Sequence, residues 1–395
     1  MLMIVGVCLI STGIAVSLNA LRGQYGFSGT ETGLITTITG GTALAAAFIS
    51  DRYFERLGLR LGLTLAAVSG AATFLIYGLA NDTLYLYYLG SVFGGFTYAL
   101  GMILPASLLM RRWFNKSRGL ALSISSAGTG LSNAIMVPVI QSVISDVSLQ
   151  MSFFAEASYF AAIACVCATL IRDDPSDKGL EPYGGKDYVP EAVSGRRAFR
   201  TAGAASLAAI AAIALLAGSG GSPATSNIVL NFSTEGMDEM RIAAAFSLYG
   251  IVLMFSKILY GQIVDRKGAC FATVVFGSMV AAGHLCCFLI GVFQNETLMF
   301  AIFILLGLGY PIVTLGYPNI SAELVDKSEY PRRMERFQIC FQLGTLIGSP
   351  IPGIIADATG HYTVAYLLFS AVFMTIIILT LAIYRNADTS STANI

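Results

Sequence analysis

The sequence predicts an all-α membrane protein of twelve transmembrane helices, arranged as two parallel six-helix halves. Three observations carry this expectation. Of the 395 residues, 55% are hydrophobic and only 12% charged, and the mean hydropathy is +0.73, whereas soluble domains carry about 25% charged residues. Apolar stretches of the roughly 20 residues needed to cross a bilayer recur along the whole chain. Sliding the sequence by 214 residues then places Asn81-Asp82-Thr83-Leu84 on Asn295-Glu296-Thr297-Leu298, Gly95 on Gly309, Arg118 on Arg332, Gly130 on Gly344 and Pro138 on Pro352. One offset serving five places marks an internal repeat.

The spans fall at 1–21, 32–54, 60–80, 84–110, 119–144, 151–171, 201–231, 241–264, 269–292, 297–320, 333–356 and 361–384. The first starts at Met1 without a basic flank, and Leu18 stands where a signal peptidase needs a small residue before Ala20, so it reads as a retained helix. Glu31, three residues after Ser28, fits a capping box opening the second helix. The stretch 172–200 is polar and rich in Pro and Gly, the composition of a linker. The chain thus divides into an N-terminal half, 1–171, a linker, 172–200, a C-terminal half, 201–385, and a tail, 386–395.

Charge sets the orientation. With a cytoplasmic amino terminus, 20 of the 23 Lys and Arg lie on the inner side, which predicts an integral protein of the cell (plasma or inner) membrane with both termini cytoplasmic. The exceptions are Arg22 and Arg241, outside, and Lys257, inside the eighth span. A net charge of zero and a pI near 6.7 speak against nucleic-acid partners and a polybasic lipid-binding role. The seven cysteines lie in spans or at a span's edge and read as packing residues. No nucleophile elbow, zinc-protease motif or phosphate loop occurs, and His284 and His361 have no partner at metal-ligand spacing. These features predict neither an enzyme nor a cofactor or metal, and a monomer that needs only the bilayer and its solute.

The repeat and the loop motifs together resemble major facilitator transporters, over the whole chain. In that superfamily the turns after helices 2 and 8 resemble G-x-x-x-D-R-x-G-x-R, and here Gly261-Gln-Ile-Val-Asp265-Arg266-Lys-Gly268 matches well. The first copy is less regular. Glu55-Arg56-Leu-Gly58-Leu-Arg60 fits with Asp51 at the first glycine, whereas the 214-residue offset pairs Asp51-Arg52 with Asp265-Arg266; both registers stay open. The resemblance implies a solute site near the midplane between the halves and alternating access. Asp51, Glu55, Arg56, Arg118, Asp265 and Arg266 are the gating candidates, with positive-inside anchoring as the alternative.

A narrower resemblance rests on two stretches. RRWFNKSRGLALSISSAGTGLSNAIMVP at 111–138 and Pro175-Ser-Asp-Lys-Gly179-Leu180-Glu-Pro182-Tyr-Gly184 are similar to the monocarboxylate porter and oxalate/formate antiporter families. Those families place a basic residue, commonly Arg, four residues before the motif glycine of helix 8, where Lys257 stands before Gly261. The resemblance therefore implies that Lys257 binds a substrate carboxylate. A structural ion pair and snorkelling to the headgroups are the competing readings, since a Lys at mid-bilayer costs roughly 2.5 to 3.5 kcal/mol on insertion scales. Tyr249, Tyr98, Asn227, Tyr310 and Gln342 are polar groups at mid-span depth that suit either a substrate or a helix-to-helix hydrogen bond.

Departures from those families narrow the substrate. Helix 11 offers Gln338 and Gln342 where oxalate/formate antiporters carry a second cation, which favours one carboxylate over two. Leu253 replaces the Asp of proton-coupled monocarboxylate transporters, and the helix-1 cation is missing near Thr12 to Ile14. Glu156 is the one clear intramembrane carboxylate, a proton-coupling candidate or a partly hydrated structural group. The sequence thus predicts transport of a small lactate-, pyruvate- or formate-like monocarboxylate with a proton or counter-anion. A facilitator of a neutral or cationic solute, an oxalate/formate-type exchanger and a transporter-like sensor are the alternatives.

Overall fold

The computed structural model describes residues 1–27, 29–185, 203–293, 295–326 and 328–392. Ser28 of the expected capping box, linker residues 186–200, and Lys327 lie outside them. The chain is helical almost throughout: α1 (Leu2–Cys8), a π turn (Leu9–Gly13), α2 (Ile14–Tyr25), α3 (Gly29–Ala80), α4 (Leu84–Gly101), α5 (Ile103–Trp113), α6 (Arg118–Ser126), α7 (Gly128–Leu131), a second π turn (Ser132–Met136), α8 (Val137–Asp146) and α9 (Leu149–Leu170). There follow α10 (Ala204–Thr234), α11 (Glu239–Lys267), α12 (Ala269–Phe293), α13 (Glu296–Gly309), α14 (Pro311–Leu324), α15 (Tyr330–Gly348), α16 (Ile351–Thr359) and α17 (Thr363–Thr392).

Among the described residues, ten helical stretches are long and apolar enough to cross a membrane. The first, Glu31–Ala80, is 50 residues long, more than twice what a span requires. It is two spans, because α3 breaks at Gly58 (φ 73, ψ 172), backbone that only glycine adopts without strain. The spans expected at 32–54 and 60–80 are its two arms. The same break recurs where α11 ends at Gly268 (φ 91, ψ 163). These matching turns settle the register left open by the sequence: Gly58 corresponds to Gly268, and hence Glu55-Arg56 to Asp265-Arg266.

Several expected spans are segmented, each for a local reason. α13 stops at Tyr310 because Pro311 opens α14 and cannot donate a backbone hydrogen bond. α4 stops at Gly101, four residues before Pro105, whose ring crowds that carbonyl in a continuous helix. The fifth span, expected at 119–144, is interrupted at Ala127 and widened by the π turn at Ser132–Met136. Such π turns loosen helices, often at functional positions.

Two compact units emerge: Met1–Phe114 with Gly128–Tyr183, and Asn115–Ala127 with Gly184–Ile395. The stretch 115–127, which the sequence counts with the first six helices, therefore packs with the later ones. In the first unit the core centres on aromatic contacts between α3 and α9, with Phe74 stacked on Phe153 and Phe160 at 6.4 and 5.8 Å between centroids. In the second, α10 and α15 touch backbone to backbone: a Cβ at Gly344 would collide with the Leu215 carbonyl, and one at Gly348 with that of Ser219. Small residues at such crossings replace the hydrophobic driving force that lipid removes.

Candidate functional site

Lys257 lies on α11 with 2% of its surface exposed. Its Nζ donates to the Ser126 carbonyl at 3.1 Å and to Ser126 Oγ at 2.9 Å. The ammonium thus turns inward to another helix rather than along its stem toward the membrane surface. Ser126 is the last residue of α6, where the fifth span is interrupted. A helix carboxyl end carries a partial negative charge, and a cation is stabilised there.

The other end of α6 is held by the same neighbour. Ser117 precedes α6 in a left-handed conformation (φ 55, ψ 33), and its side chain makes no capping hydrogen bond. The Asp265 carboxylate supplies the cap, accepting from Gly119 N at 2.9 Å and Leu120 N at 2.8 Å. An anion at a helix amino end satisfies its free N–H groups and its dipole together. Between the two contacts Gly261 lets the backbones touch, since a Cβ there would lie 2.5 Å from Ser123 Oγ and 2.7 Å from the Gly119 carbonyl. Helix α11 therefore grips α6 at both ends, with Lys257 on its negative end and Asp265 on its positive end. Arg118 adds a hydrogen bond from Nη2 to the Ala322 carbonyl on α14 at 3.2 Å.

Two turns along α11 from Lys257, Tyr249 is buried and packs edge-on against Tyr310, at 5.8 Å and 83°. Both rings line a small pocket with Thr225, Phe246, His284 and Phe303. The Tyr310 hydroxyl is engaged with the Gly221 carbonyl and Thr225 Oγ. His284 is 1% exposed and sits against Tyr366, Phe369 and Phe373, and its Nδ1 has no hydrogen-bond partner among the described residues. Gln342 on α15 is buried with Nε2 likewise without a partner, while Gln338 accepts from the Tyr317 hydroxyl at 2.7 Å. The Asn227 amide donates within its own helix, to the Pro223 carbonyl at 2.9 Å.

The remaining sequence candidates stand elsewhere. Tyr98 is a half-buried residue of α4 in the first unit. Glu156 is 3% exposed on α9, one turn from Phe153 and from Phe160, and neither carboxylate oxygen has a hydrogen-bond partner among the described residues. Asp51 is half-buried, and Glu55 and Arg56 are exposed. Arg266 projects from the end of α11, exposed.

Three features escaped the sequence reading. Ser126 stands in a plain small-residue run and announces nothing. Asp173 caps the second arm of α3, accepting from Arg60 N at 2.7 Å, and Glu323 caps α12, accepting from Ala269 N at 2.8 Å and from the Tyr384 hydroxyl at 2.5 Å. An acid near a helix end is the available signal for the last two, but which helix it serves is not written locally.

Ten helical stretches among the described residues that are long and apolar enough to cross a membrane mark a polytopic membrane protein. The sequence profile of the Major Facilitator Superfamily matches residues 1–329 and 285–394, and the chain belongs to that superfamily of membrane transporters. Its relatives include monocarboxylate transporter 12 of Rattus norvegicus, 22% identical over 88% of this chain and 76% of the relative. Monocarboxylate transporter 11 of Homo sapiens is 21% identical over 90% of this chain and 75% of the relative. Among solved structures, the proton:xylose symporter XylE superposes with a TM-score of 0.74 at 12% identity, over 95% of this chain and 93% of that one. The human organic anion transporter MFSD10 gives 0.72 at 13% identity, over 96% and 98%. At such identities the structural likeness speaks for the fold.

Proposed function

We propose that this transporter moves a small organic monocarboxylate by alternating access, with Lys257 as counter-ion to the carboxylate. The observation that carries the reading is a lysine 2% exposed in the bilayer-spanning part of α11, its ammonium held by two neutral oxygens of Ser126. A cation kept at that depth is costly, and ionisable groups in spans commonly mark solute or ion pathways. The relatives named as monocarboxylate transporters support the same substrate class. Tyr249, Tyr310, Gln342 and Asn227 belong to the proposal as polar neighbours of the solute path, and a proton or counter-anion as the coupled species. Asp265, with Arg118 at its side, gates the cytoplasmic end, while Asp51, Glu55, Arg56 and Arg266 serve as weaker contributors.

The test is uptake of labelled lactate, pyruvate or formate into proteoliposomes, with thermal unfolding of each variant alongside. Lys257→Gln abolishes saturable uptake while the protein still inserts and folds. Lys257→Arg retains part of it, because charge is kept although the planar fork replaces a compact ammonium. Near wild-type uptake by Lys257→Gln, for an acid the wild type carries, refutes the role.

A further inference from the structure

The charge that the proposed function assigns to the substrate is already occupied. Both hydrogen bonds from Lys257 Nζ to Ser126 are fully buried, with Ser126 1% and Lys257 2% exposed. A carboxylate reaches that ammonium only after α11 and the end of α6 part. The Ser126 carbonyl and hydroxyl are oxygens of the kind a carboxylate presents, and the carbonyl adds the partial negative charge of the helix end. Resting on the carboxylate-binding reading of Lys257, we propose that Ser126 is an intramolecular competitor of the substrate at Lys257 and thereby sets the affinity of the anion site.

The physical consequence is a population effect. With Lys257 seated on Ser126, an incoming anion must displace that pair. Its apparent affinity is reduced by the fraction of molecules in which the pair is open. Gly261 and Asp265 hold the rest of α6 against α11, so exchanging Ser126 for the substrate frees one end of α6 while the other stays capped. Binding is thereby linked to movement of that one segment.

The experiment compares wild type, Ser126→Ala and Ser126→Thr in proteoliposomes, reading half-saturating concentration and maximal rate separately for labelled pyruvate, lactate and formate. Ser126→Ala removes one of the two acceptors that Ser126 offers, so the half-saturating concentration falls about three- to tenfold, in line with loss of a hydrogen bond to a charged group. Ser126→Thr keeps the hydroxyl and stays near wild type. An unchanged or raised half-saturating concentration in Ser126→Ala, with the thermal unfolding midpoint retained, overturns the competition. Should Ser126→Ala fail to fold, Ser126→Cys, a weaker acceptor of similar size, must show the same fall or the proposal is lost. Lys257→Gln separates the two claims. If it transports normally the carboxylate reading fails and this inference with it, whereas if it is inactive and Ser126→Ala is unchanged, only the competition fails.

Discussion

Glu156 shows at the residue scale how a side chain can be conspicuous by its surroundings. It is buried on α9 among aromatic residues, and no donor among the described residues approaches either oxygen. Among the described residues no group depends on it for a hydrogen bond, unlike Asp265, Asp173 and Glu323, each of which caps a helix. Ionisable groups in spans that serve no structural partner commonly lie on proton paths, and we expect Glu156 to carry the coupled proton. Uptake of labelled pyruvate driven by an inward proton gradient is then lost in Glu156→Gln, while exchange of labelled for unlabelled acid at equal pH continues. Gradient-driven uptake at the wild-type rate returns Glu156 to a packing role.

At the scale of elements, three helix starts are capped by a carboxylate distant in sequence: the second arm of α3 by Asp173, in the bend after α9, α6 by Asp265 on α11, and α12 by Glu323 on α14. A helix beginning at a glycine or in a left-handed residue brings no cap of its own, and a cap is worth about 0.5 to 2 kcal/mol. The α6 start is the most dependent, because Asp265 serves two N–H groups at once. Asp265→Asn replaces an anion that accepts at both oxygens with a neutral amide that accepts at one atom and turns its NH2 toward the other backbone N–H. The expected result is a lower thermal midpoint and a longer, broader distance between spin labels at Ser117 and Arg266. If both measurements match wild type, Asp265 is an anchor and the gating proposal fails.

At the scale of the whole molecule, the asymmetry of Lys and Arg makes a definite forecast. Single cysteines at Ser117 and Ser328, in a background without the native cysteines, react with an impermeant thiol reagent only from the cytoplasmic side. Labelling of either from outside reverses the orientation. The superfamily's fold was legible at this scale because a span of about 20 apolar residues is a local property, and because the 214-residue repeat states that two halves share one plan. The Gly261–Gly268 motif was legible too, since its glycines mark a close approach and a turn that other residues resist.

What the sequence determined by itself is thus whatever local composition and spacing encode: the spans, the charge bias, the turn at Gly268, and Lys257 as a charge out of place. It left open where that charge goes. Lys257 meets Ser126 across 131 residues, Arg60 meets Asp173 across 113 and Ala269 meets Glu323 across 54. The first-loop register was also undecided until Gly58 and Gly268 proved to share a backbone conformation. Only the tertiary structure decided these pairings. A buried polar group takes whichever complementary atom the packing of whole helices brings within about 3 Å, and that choice depends on every helix at once.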